Sequence, residues 1–366
     1  MDHHTMLTDI LKLHLDLNLA RAQCLSALIL ALFKVKTVPL SELATAFPGR
    51  LQSESPYRRL QRFFQHVELQ PAWIAQLVVS VLPYSTYTLA LDRTNWMLGC
   101  LPINFFVLSV VHQGTAFPIF WMFLPKQGSS NTKERIALLN RFLVTFGAHK
   151  IDCLLADREF MGEKWFAYLK AHHIRFRIRI KRDMNVSRRH GRVSPARNFF
   201  RSLPVSTYCR LHGARRVWGH MLWITGMRLP SGDYLIVVSN EDSDHVMEEY
   251  RRRWKIEVLF EALKSRGFNF EDTPLKHEKR LQTLFSVLAL AFCWAYQVGA
   301  WRHEVKPIRI KTHQRPAKSI FRYGLDWIPQ ALFNPQHQSE LLTHVLNLLW
   351  QALTGPKAHL EQLYPT

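Results

Sequence analysis

The chain has 366 residues, of which 48% are hydrophobic and 21% charged, a balance that excludes a disordered or fibrous protein. Lysine and arginine number 48 against 28 aspartate and glutamate residues, so the formal net charge is +20. A surplus of this sign attracts polyanions, of which nucleic acid is the usual one. A ribosome-associated protein and a membrane-surface protein are the alternatives, and the length and aromatic content argue against the first.

Cysteine usage and the N-terminal residues predict a cytoplasmic protein. The five cysteines are scattered and form no C-x-x-C pair, which is neither a disulfide framework nor a structural zinc site. No basic stretch followed by an apolar one begins the chain, so no signal peptide is expected. Residues 283–301 carry no charge and are long enough to cross a membrane, but Ser286, Gln297 and Gly299 interrupt them. We interpret this segment as a buried core helix of a protein with no membrane partner.

Residues 1–80 are predicted to form a helical domain. Leucine and isoleucine recur at helical spacing over residues 10–33. A second helix is expected over residues 41–46, with Ser41 as its cap, and a third over residues 55–66. A short helix, a turn containing Gly49 and a basic helix are consistent with a DNA-binding domain.

The third of these helices carries the basic residues that favour DNA binding. Arg58, Arg59 and Arg62 are three to four positions apart and therefore share one face of the helix. They are predicted to contact DNA. The alternative is an ordinary solvated basic helix, because three arginines on one helix are common.

From residue 84 the hydrophobic period changes from helical to alternating, which predicts a sheet. The expected elements are strand 87–91, strand 105–111, strand 115–124, helix 132–146, strand 151–156, helix 163–171 and strand 174–180. Three consecutive strands followed by alternation predict an α/β fold in which helices pack on a mixed sheet.

A basic segment follows the last of these strands. Residues 181–216 are rich in arginine, glycine, serine and proline and are expected to form loops and short strands. A hairpin over residues 218–225 and 234–239 is predicted next. Together these pieces form a β-rich basic insertion at about 181–243. One long helix is then expected from about residue 244 to 265.

Two aspartates follow short apolar strands. Asp92 is expected to end the strand over residues 87–91, and Asp157 the strand over residues 151–156. If the two strands are neighbours in one sheet, their carboxylates meet at one edge and favour a shared cation. Oxygen ligands suit Mg²⁺ or Mn²⁺. The alternative for either residue alone is a turn or a helix cap.

Four side chains on the long helix form a polar stripe. They are Tyr250, Arg253, Glu257 and Lys264. Spacings of three, four and seven residues place them within about 60° of one helical face. A carboxylate among cations is what a phosphate backbone beside a metal ion requires. The alternative is a surface helix in which Arg253 and Glu257 form an ordinary ion pair.

Three motifs carry a resemblance to a known family. The pattern Y-x2-R-x3-E-x6-K, formed by the polar stripe, resembles the signature of a group of bacterial insertion-sequence transposases. The segment DREF at residues 157–160 resembles the second-aspartate motif of the same family, and LALDRT around Asp92 resembles the first. The resemblance covers residues 55–300 approximately. It implies a cut-and-paste DDE enzyme with an RNase H-like core.

The resemblance also implies roles for particular residues. Asp92, Asp157 and Glu257 would be the catalytic triad and would hold Mg²⁺ or Mn²⁺. The other signature residues, which are Tyr250, Arg253 and Lys264, would contact DNA phosphates. Relatives use an aromatic residue of the insertion to stack a flipped base when a hairpin forms at the transposon end. Tyr234 occupies the nearest place, and Trp223 and Trp218 are close by; the alternative for each of them is a place in the core.

The expected organisation is a helical DNA-binding domain (1–80), a catalytic core (81–300) and a helical C-terminal region (301–366). An amphipathic helix over residues 341–353 could support a homodimer, which such an enzyme needs to bring two ends together. The expected partners are double-stranded DNA of the terminal inverted repeats and of the target. An inactive or regulatory DNA-binding relative and another RNase H-like nuclease are the competing interpretations.

Overall fold

The computed structural model describes residues 3–47, 54–82, 84–188, 191–312 and 314–333. They divide into two compact units, which are treated separately. The helical unit comprises Met1–Pro83, Trp96–Leu101 and Leu259–Thr366, and the sheet unit comprises Tyr84–Asn95 and Pro102–Val258.

The secondary structure follows the predicted order of helices, strands and helices. The α-helices are α1 (His3–His14), α2 (Leu19–Val35), α3 (Leu40–Thr45), α4 (Glu54–His66), α5 (Pro71–Ser80), α6 (Thr132–Phe146), α7 (Glu163–Ala171), α8 (Val246–Arg251), α9 (Lys255–Leu263), α10 (Glu278–Val305) and α11 (Ile320–Phe333). The strands are β1 (Tyr87–Leu98), β2 (Leu101–His112), β3 (Thr115–Phe123), β4 (Ile151–Ala156), β5 (Phe176–Ile180), β6 (Asn185–Ser187), β7 (Val193–Pro195), β8 (Tyr208–Arg210), β9 (Arg215–Val217), β10 (His220–Arg228) and β11 (Tyr234–Ser239).

The prediction of a single helix over residues 10–33 is wrong, because the helix is interrupted between α1 and α2. The Asn18 side chain accepts a hydrogen bond from the backbone N–H of Arg21 at 2.9 Å and so caps the start of α2. Leu15 and Leu17 in the break are buried. The hydrophobic spacing therefore predicted one helix, because it does not register the polar side chain that caps a new helix at this point.

Helix α4 confirms the predicted helix over residues 55–66, and α3 differs slightly from its prediction. Ser41 lies inside α3, and the cap position is Pro39, which makes no side-chain hydrogen bond there. The predicted turn at Gly49 lies outside the described residues. On α4 the three arginines Arg58, Arg59 and Arg62 are exposed.

Helix α10 contains the uncharged segment 283–301. It is the one helix of the described residues that is long and apolar enough to cross a membrane, and 94% of its apolar window is buried in the protein. It crosses α11 so closely that a Cβ atom on Gly299 would lie 2.0 Å from the carbonyl oxygen of Ile320. The interpretation as a core helix is therefore confirmed. The predicted helix over residues 341–353 lies outside the described residues.

The described residues of the sheet unit form a sheet of nine strands, and its mixture of parallel and antiparallel pairs confirms the predicted mixed sheet. Its order is β3-β2-β1-β4-β5-β11-β10-β8, and β9 pairs with β10. The pairs β1–β4 and β4–β5 are parallel, whereas β2–β3, β5–β11 and β10–β11 are antiparallel. Helix α6 contacts β3, and α7 contacts β10, so helices flank the sheet. Strands β6 and β7 form a separate pair.

Local signals account for the elements that match their predictions. Asn131 caps α6 by accepting from the N–H of Glu134, whose side chain accepts in turn from the N–H of Asn131. Gly147 follows α6 with φ +84°, a conformation that glycine adopts readily. The hairpin of β10 and β11 confirms the predicted antiparallel pair, with Arg228 opposite Tyr234.

Two predictions are wrong, one about the strand that precedes Asp92 and one about the long helix over residues 244–265. Asp92 does not end β1, which continues to Leu98; only the pairing with β4 ends before Asp92. The long helix over residues 244–265 is broken by a 3-10 turn at Arg252–Trp254 between α8 and α9. A 3-10 turn has 3.0 residues per turn, so the side chains on its two sides do not follow one regular helical stripe.

We expect His112 at the end of β2 to make the protein sensitive to acid. Burial lowers the pKa of His112 from 6.5 to about 4. Because the unfolded chain binds a proton at higher pH than the folded one, stability is lost as the pH falls from about 6.5 to 4. The loss is about 3 kcal/mol of unfolding free energy, from ~1.4 kcal/mol for each pKa unit.

The substitution His112→Phe tests this prediction, because the ring of His112 lies among the aromatic rings of Tyr84 and Phe117. Urea unfolding at pH 7 and pH 4.5 should show a smaller loss of stability for the variant than for the wild type. The exposed His149 provides the control His149→Phe. An equal loss for wild type and His112→Phe would contradict the assignment.

Candidate active site

The two aspartates lie side by side at one end of the parallel strands. Leu91 of β1 pairs with Ala156 of β4, and this is the last pair of the register. Asp92 and Asp157 are the next residue of each chain segment. Because parallel strands present their carboxyl ends at the same edge of a sheet, the structure brings the two carboxylates together.

Asp92 is the more buried of the two carboxylates. Burial raises its pKa from 3.8 to about 6, and the nearby carboxylates of Glu159 and Asp157 act in the same direction. The guanidinium of Arg253 and the backbone N–H of Arg93, which donates to Asp92 Oδ1 at 2.8 Å, oppose this rise in pKa. A buried carboxylate of this kind favours a cation beside it.

Arg253 supplies such a cation and joins two predicted triad residues. Its Nη1 donates to Asp92 Oδ2 at 2.8 Å, and its Nη2 donates to Glu257 Oε1 at 2.7 Å. The side chain is 3% exposed, whereas that of Glu257 is 42% exposed. Burial by itself lowers the pKa of Arg253, but Tyr250 and Asp92 reverse this and the pKa stays above its usual range. The guanidinium is therefore a permanent charge between Asp92 and Glu257.

Tyr250 contacts the second aspartate. Its hydroxyl donates to Asp157 Oδ1 at 3.3 Å, and the residue is 1% exposed. Burial raises the pKa of Tyr250 well above its usual range. The phenol therefore keeps its proton and acts as a hydrogen-bond donor to the carboxylate.

The segments that follow the two aspartates are joined by an ion pair that was missed from the sequence. Arg93 Nε donates to Glu159 Oε1 at 2.9 Å, and Arg93 Nη2 donates to Glu159 Oε2 at 2.6 Å. Both residues are mostly buried, and Arg135 donates to the backbone oxygen of Glu159 at 2.8 Å. A bidentate pair has a fixed geometry, so it restricts the two aspartate-bearing segments. In the sequence, the only indication of this ion pair was that Arg93 lies in LALDRT and Glu159 in DREF.

A basic cavity adjoins Asp157. Its volume is about 160 Å³, and its lining residues are Arg158, Arg179, Ile180, Lys181, Arg182, Asp183, Asp233 and Tyr234. Nη1 of Arg179 lies 3.7 Å from Asp157 Oδ1, and its Nε makes no hydrogen bond with the described residues. Arginine nitrogens in such a place suit phosphate oxygens. The alternation of arginine with apolar residues at 175–179 is the sequence signal that could have indicated Arg179.

The two aromatic candidates lie at opposite ends of the β10–β11 hairpin. Tyr234 is paired with Arg228 and lines the basic cavity. Trp223 is paired with Ser239, and the guanidinium carbon of Arg210 lies 5.8 Å from its ring centre. The structure therefore brings Tyr234, and not Trp223, to the cavity beside Asp157.

Tyr250 and Arg253 were predicted to contact DNA phosphates, but both are buried and bonded to carboxylates. The other predicted DNA contacts lie in the helical unit. Lys264 follows the end of α9; its Nζ lies 2.7 Å from Glu271 Oε1 and 5.1 Å from the ring centre of Trp96. Among the α4 arginines, Arg59 Nη2 donates to the backbone oxygen of Ala20 at 3.4 Å. Arg58 is exposed, as an arginine available to DNA would be.

The predicted triad consists of three carboxylates, Asp92, Asp157 and Glu257. The described residues contain no group of three or more His, Cys, Asp or Glu placed to hold a metal ion. The carboxylate oxygens of Asp92, Asp157 and Glu257 are nevertheless of the type that Mg²⁺ and Mn²⁺ prefer. Asp92 and Asp157 already lie together, and Glu257 is held to Asp92 through Arg253. The donor atoms are therefore of the type that a hard divalent cation takes, although the described residues do not bring three of them to one point.

Comparison with known proteins gives matches of two kinds. The family model described as "Transposase DDE domain" matches residues 107–294, a range that contains Asp157 and Glu257. No curated protein matches the chain. A cryo-EM structure of the piggyBac transposase synaptic complex with hairpin DNA is similar at 9% sequence identity and a TM-score of 0.48, covering 91% of this chain and 76% of that one. Because the family model spans more than half of the 366 residues, the chain belongs to the transposase DDE domain family.

Proposed function

We propose that this chain is a metal-dependent transposase of the bacterial insertion-sequence type. It cleaves the ends of its own element and joins them to target DNA. One observation carries the proposal: Asp92 and Asp157 lie together at the ends of parallel strands, and Arg253 links Asp92 to Glu257. The proposal is supported by the contact of two of these carboxylates with one buried cation, while the third lies beside Asp92 at the end of the neighbouring strand.

Asp92, Asp157 and Glu257 are proposed to hold Mg²⁺ or Mn²⁺. When bound, such an ion lowers the pKa of an attacking water or 3′-hydroxyl and stabilises the leaving oxygen of an in-line phosphoryl transfer. All steps would take place at the same site, and only the nucleophile would change. Water is the nucleophile of the first cut, and a 3′-hydroxyl is the nucleophile of hairpin closure or joining. Each step breaks one P–O bond as it forms another.

The other residues of the site orient these carboxylates and bind phosphates. Tyr250 keeps its proton and donates it in a hydrogen bond to Asp157, which fixes the direction of that carboxylate. Arg253 does the same for Asp92 and Glu257. Arg179 and the cavity beside it present cations to the phosphates next to the reacting one. Tyr234 lines the same cavity, where its ring would stack on a base displaced from the duplex.

The proposal also covers the domains, the DNA contacts, the cellular location and the oligomeric state. The core at 81–300 is RNase H-like, with the basic insertion at 181–243. The helical domain at 1–80 binds the terminal inverted repeat through Arg58, Arg59 and Arg62, and Lys264 binds a further phosphate. The enzyme works in the cytoplasm as a homodimer on two ends, with 301–366 available for the dimer contact.

Cleavage of the element's own DNA tests the proposal. A fragment that carries this gene with its natural flanks is incubated with the protein in Mg²⁺ or Mn²⁺, beside the variant Asp157→Ala. We expect cuts at a pair of inverted repeats with the wild type only, and the form of the strand ends shows whether hairpins arise. Salt-dependent binding at those repeats without a cut in either metal would replace the proposal with a regulatory DNA-binding protein. Cutting of branched DNA or of RNA–DNA hybrids alone would indicate another nuclease.

A further inference from the structure

Three arginines at alternate positions near β5 have different surroundings. They are Arg175, Arg177 and Arg179, and alternate residues of a strand project to one face of its sheet. Arg175 is 38% exposed, Arg177 is completely buried, and Arg179 approaches Asp157. Arg177 takes part in none of the active-site contacts described above.

Arg177 makes four hydrogen bonds inside the protein. Its Nε donates to Glu249 Oε2 and its Nη2 to Glu241 Oε1, both at 2.7 Å. Its Nη1 donates to Ser239 Oγ at 2.8 Å and to the backbone oxygen of Phe176 at 3.2 Å. A buried guanidinium is costly unless it is paired and hydrogen-bonded, and here two carboxylates pair with it. The pair between Arg177 and Glu249 spans 72 positions of the chain, so it joins α8 to β5.

Glu249 precedes Tyr250 on the short helix α8. The apolar side of α8 rests on the sheet through Val246, Met247 and Tyr250, which form a buried cluster with Val237 of β11. Apolar contacts are not directional, so they hold α8 on the sheet without fixing its rotation. The ion pair with Arg177 is directional. It meets α8 one residue before the phenol that reaches Asp157.

We propose that Arg177 is a positioning residue that places the hydroxyl of Tyr250 against Asp157 through its ion pair with Glu249. The proposal deepens the proposed function and rests on it. The hydrogen bond from Tyr250 to Asp157 is 3.3 Å long, near the outer limit for such a bond. A small rotation of α8 would therefore break it.

The test uses Arg177→Lys, which keeps the charge and removes the fork that holds Glu249. The matched control is Arg175→Lys, because Arg175 pairs with Glu241 and approaches Glu249 but is far more exposed. Hydrogen exchange of residues 246–254 should speed up about tenfold in Arg177→Lys and stay unchanged in the control. Single-turnover cleavage of the end DNA should slow about tenfold at unchanged affinity for that DNA.

A second comparison separates positioning from general weakening of the fold. In the Tyr250→Phe background there is no hydroxyl to place, so Arg177→Lys should slow cleavage less than about twofold further. An equal slowing in both backgrounds, or unchanged exchange at 246–254, would overturn the proposal. If Arg177→Lys does not fold, Glu249→Gln takes its place, because it removes the same charged pair at a residue that is partly exposed. If the wild type does not cleave DNA, the proposed function fails, whereas the exchange experiment still decides whether Arg177 holds α8.

Discussion

The variant Glu257→Gln should bind the ends of the element as the wild type does and should cut them at least about a thousandfold more slowly. Glutamine has the shape of glutamate but no negative charge, so it is a poor ligand for Mg²⁺ and a weaker acceptor for Arg253. The change weakens one charge-assisted hydrogen bond, and Arg253 keeps its bond to Asp92. Loss of cleavage would therefore reflect the chemistry of the site and not the loss of the fold.

Glu261→Gln is the matched control for this variant. Glu261 lies one helical turn later on α9, is 47% exposed against 42% for Glu257, and also pairs with an arginine at 2.7 Å. It is not part of the predicted triad. Cleavage rates and end-binding affinities of both variants should be measured with the same DNA in Mg²⁺ and Mn²⁺. Normal cutting by Glu257→Gln would remove Glu257 from the catalytic triad.

Replacing Arg253 by methionine should slow cleavage about a hundredfold at neutral pH and shift its pH dependence upward. Asp92 and Glu257 would lose the donor that orients both carboxylates, and a hundredfold change in rate corresponds to about 2.7 kcal/mol of activation free energy. Arg253 also opposes the rise in the pKa of Asp92 that burial causes, so without it that pKa rises further above about 6. Because the proposed role of Asp92 needs the ionised carboxylate, the acid limb of the rate profile should move to higher pH.

Arg252→Met is the control for Arg253→Met. Arg252 lies in the same 3-10 turn but is exposed, whereas Arg253 is buried between two carboxylates. The rate of single-turnover cleavage should be measured from pH 5.5 to 9 for both variants. An acid limb of Arg253→Met that coincides with that of the wild type would show that Arg253 does not set the ionisation of Asp92.

Glu257 and Arg253 contact each other but differ in their exposure to solvent. Glu257 is the partly exposed carboxylate, which an incoming DNA phosphate can approach. Arg253 is the buried cation, whose strength depends on the exclusion of water around it. Raising the ionic strength should therefore weaken the binding of DNA to the basic surface far more than it alters the pair of Arg253 with Asp92.

Local patterns in the sequence determined much of the sheet unit. Helices 132–146 and 163–171 and strand 151–156 have the predicted bounds, because hydrophobic period and caps act between residues a few positions apart. The same local patterns located Asp92 and Asp157 at strands that turned out to be parallel neighbours. They also indicated the residue types of the signature, Tyr250, Arg253 and Glu257, whose roles remain predictions.

Only the tertiary structure decided how these residues are paired. Arg253 reaches Asp92 across 161 positions of the chain, and Arg93 reaches Glu159 across 66. Periodicity does not reveal such pairs, because it reports neighbours along one element and not across a sheet. The sequence by itself determined which charged groups the protein has and on which elements they lie, and the packing of distant strands and helices decided which of them meet.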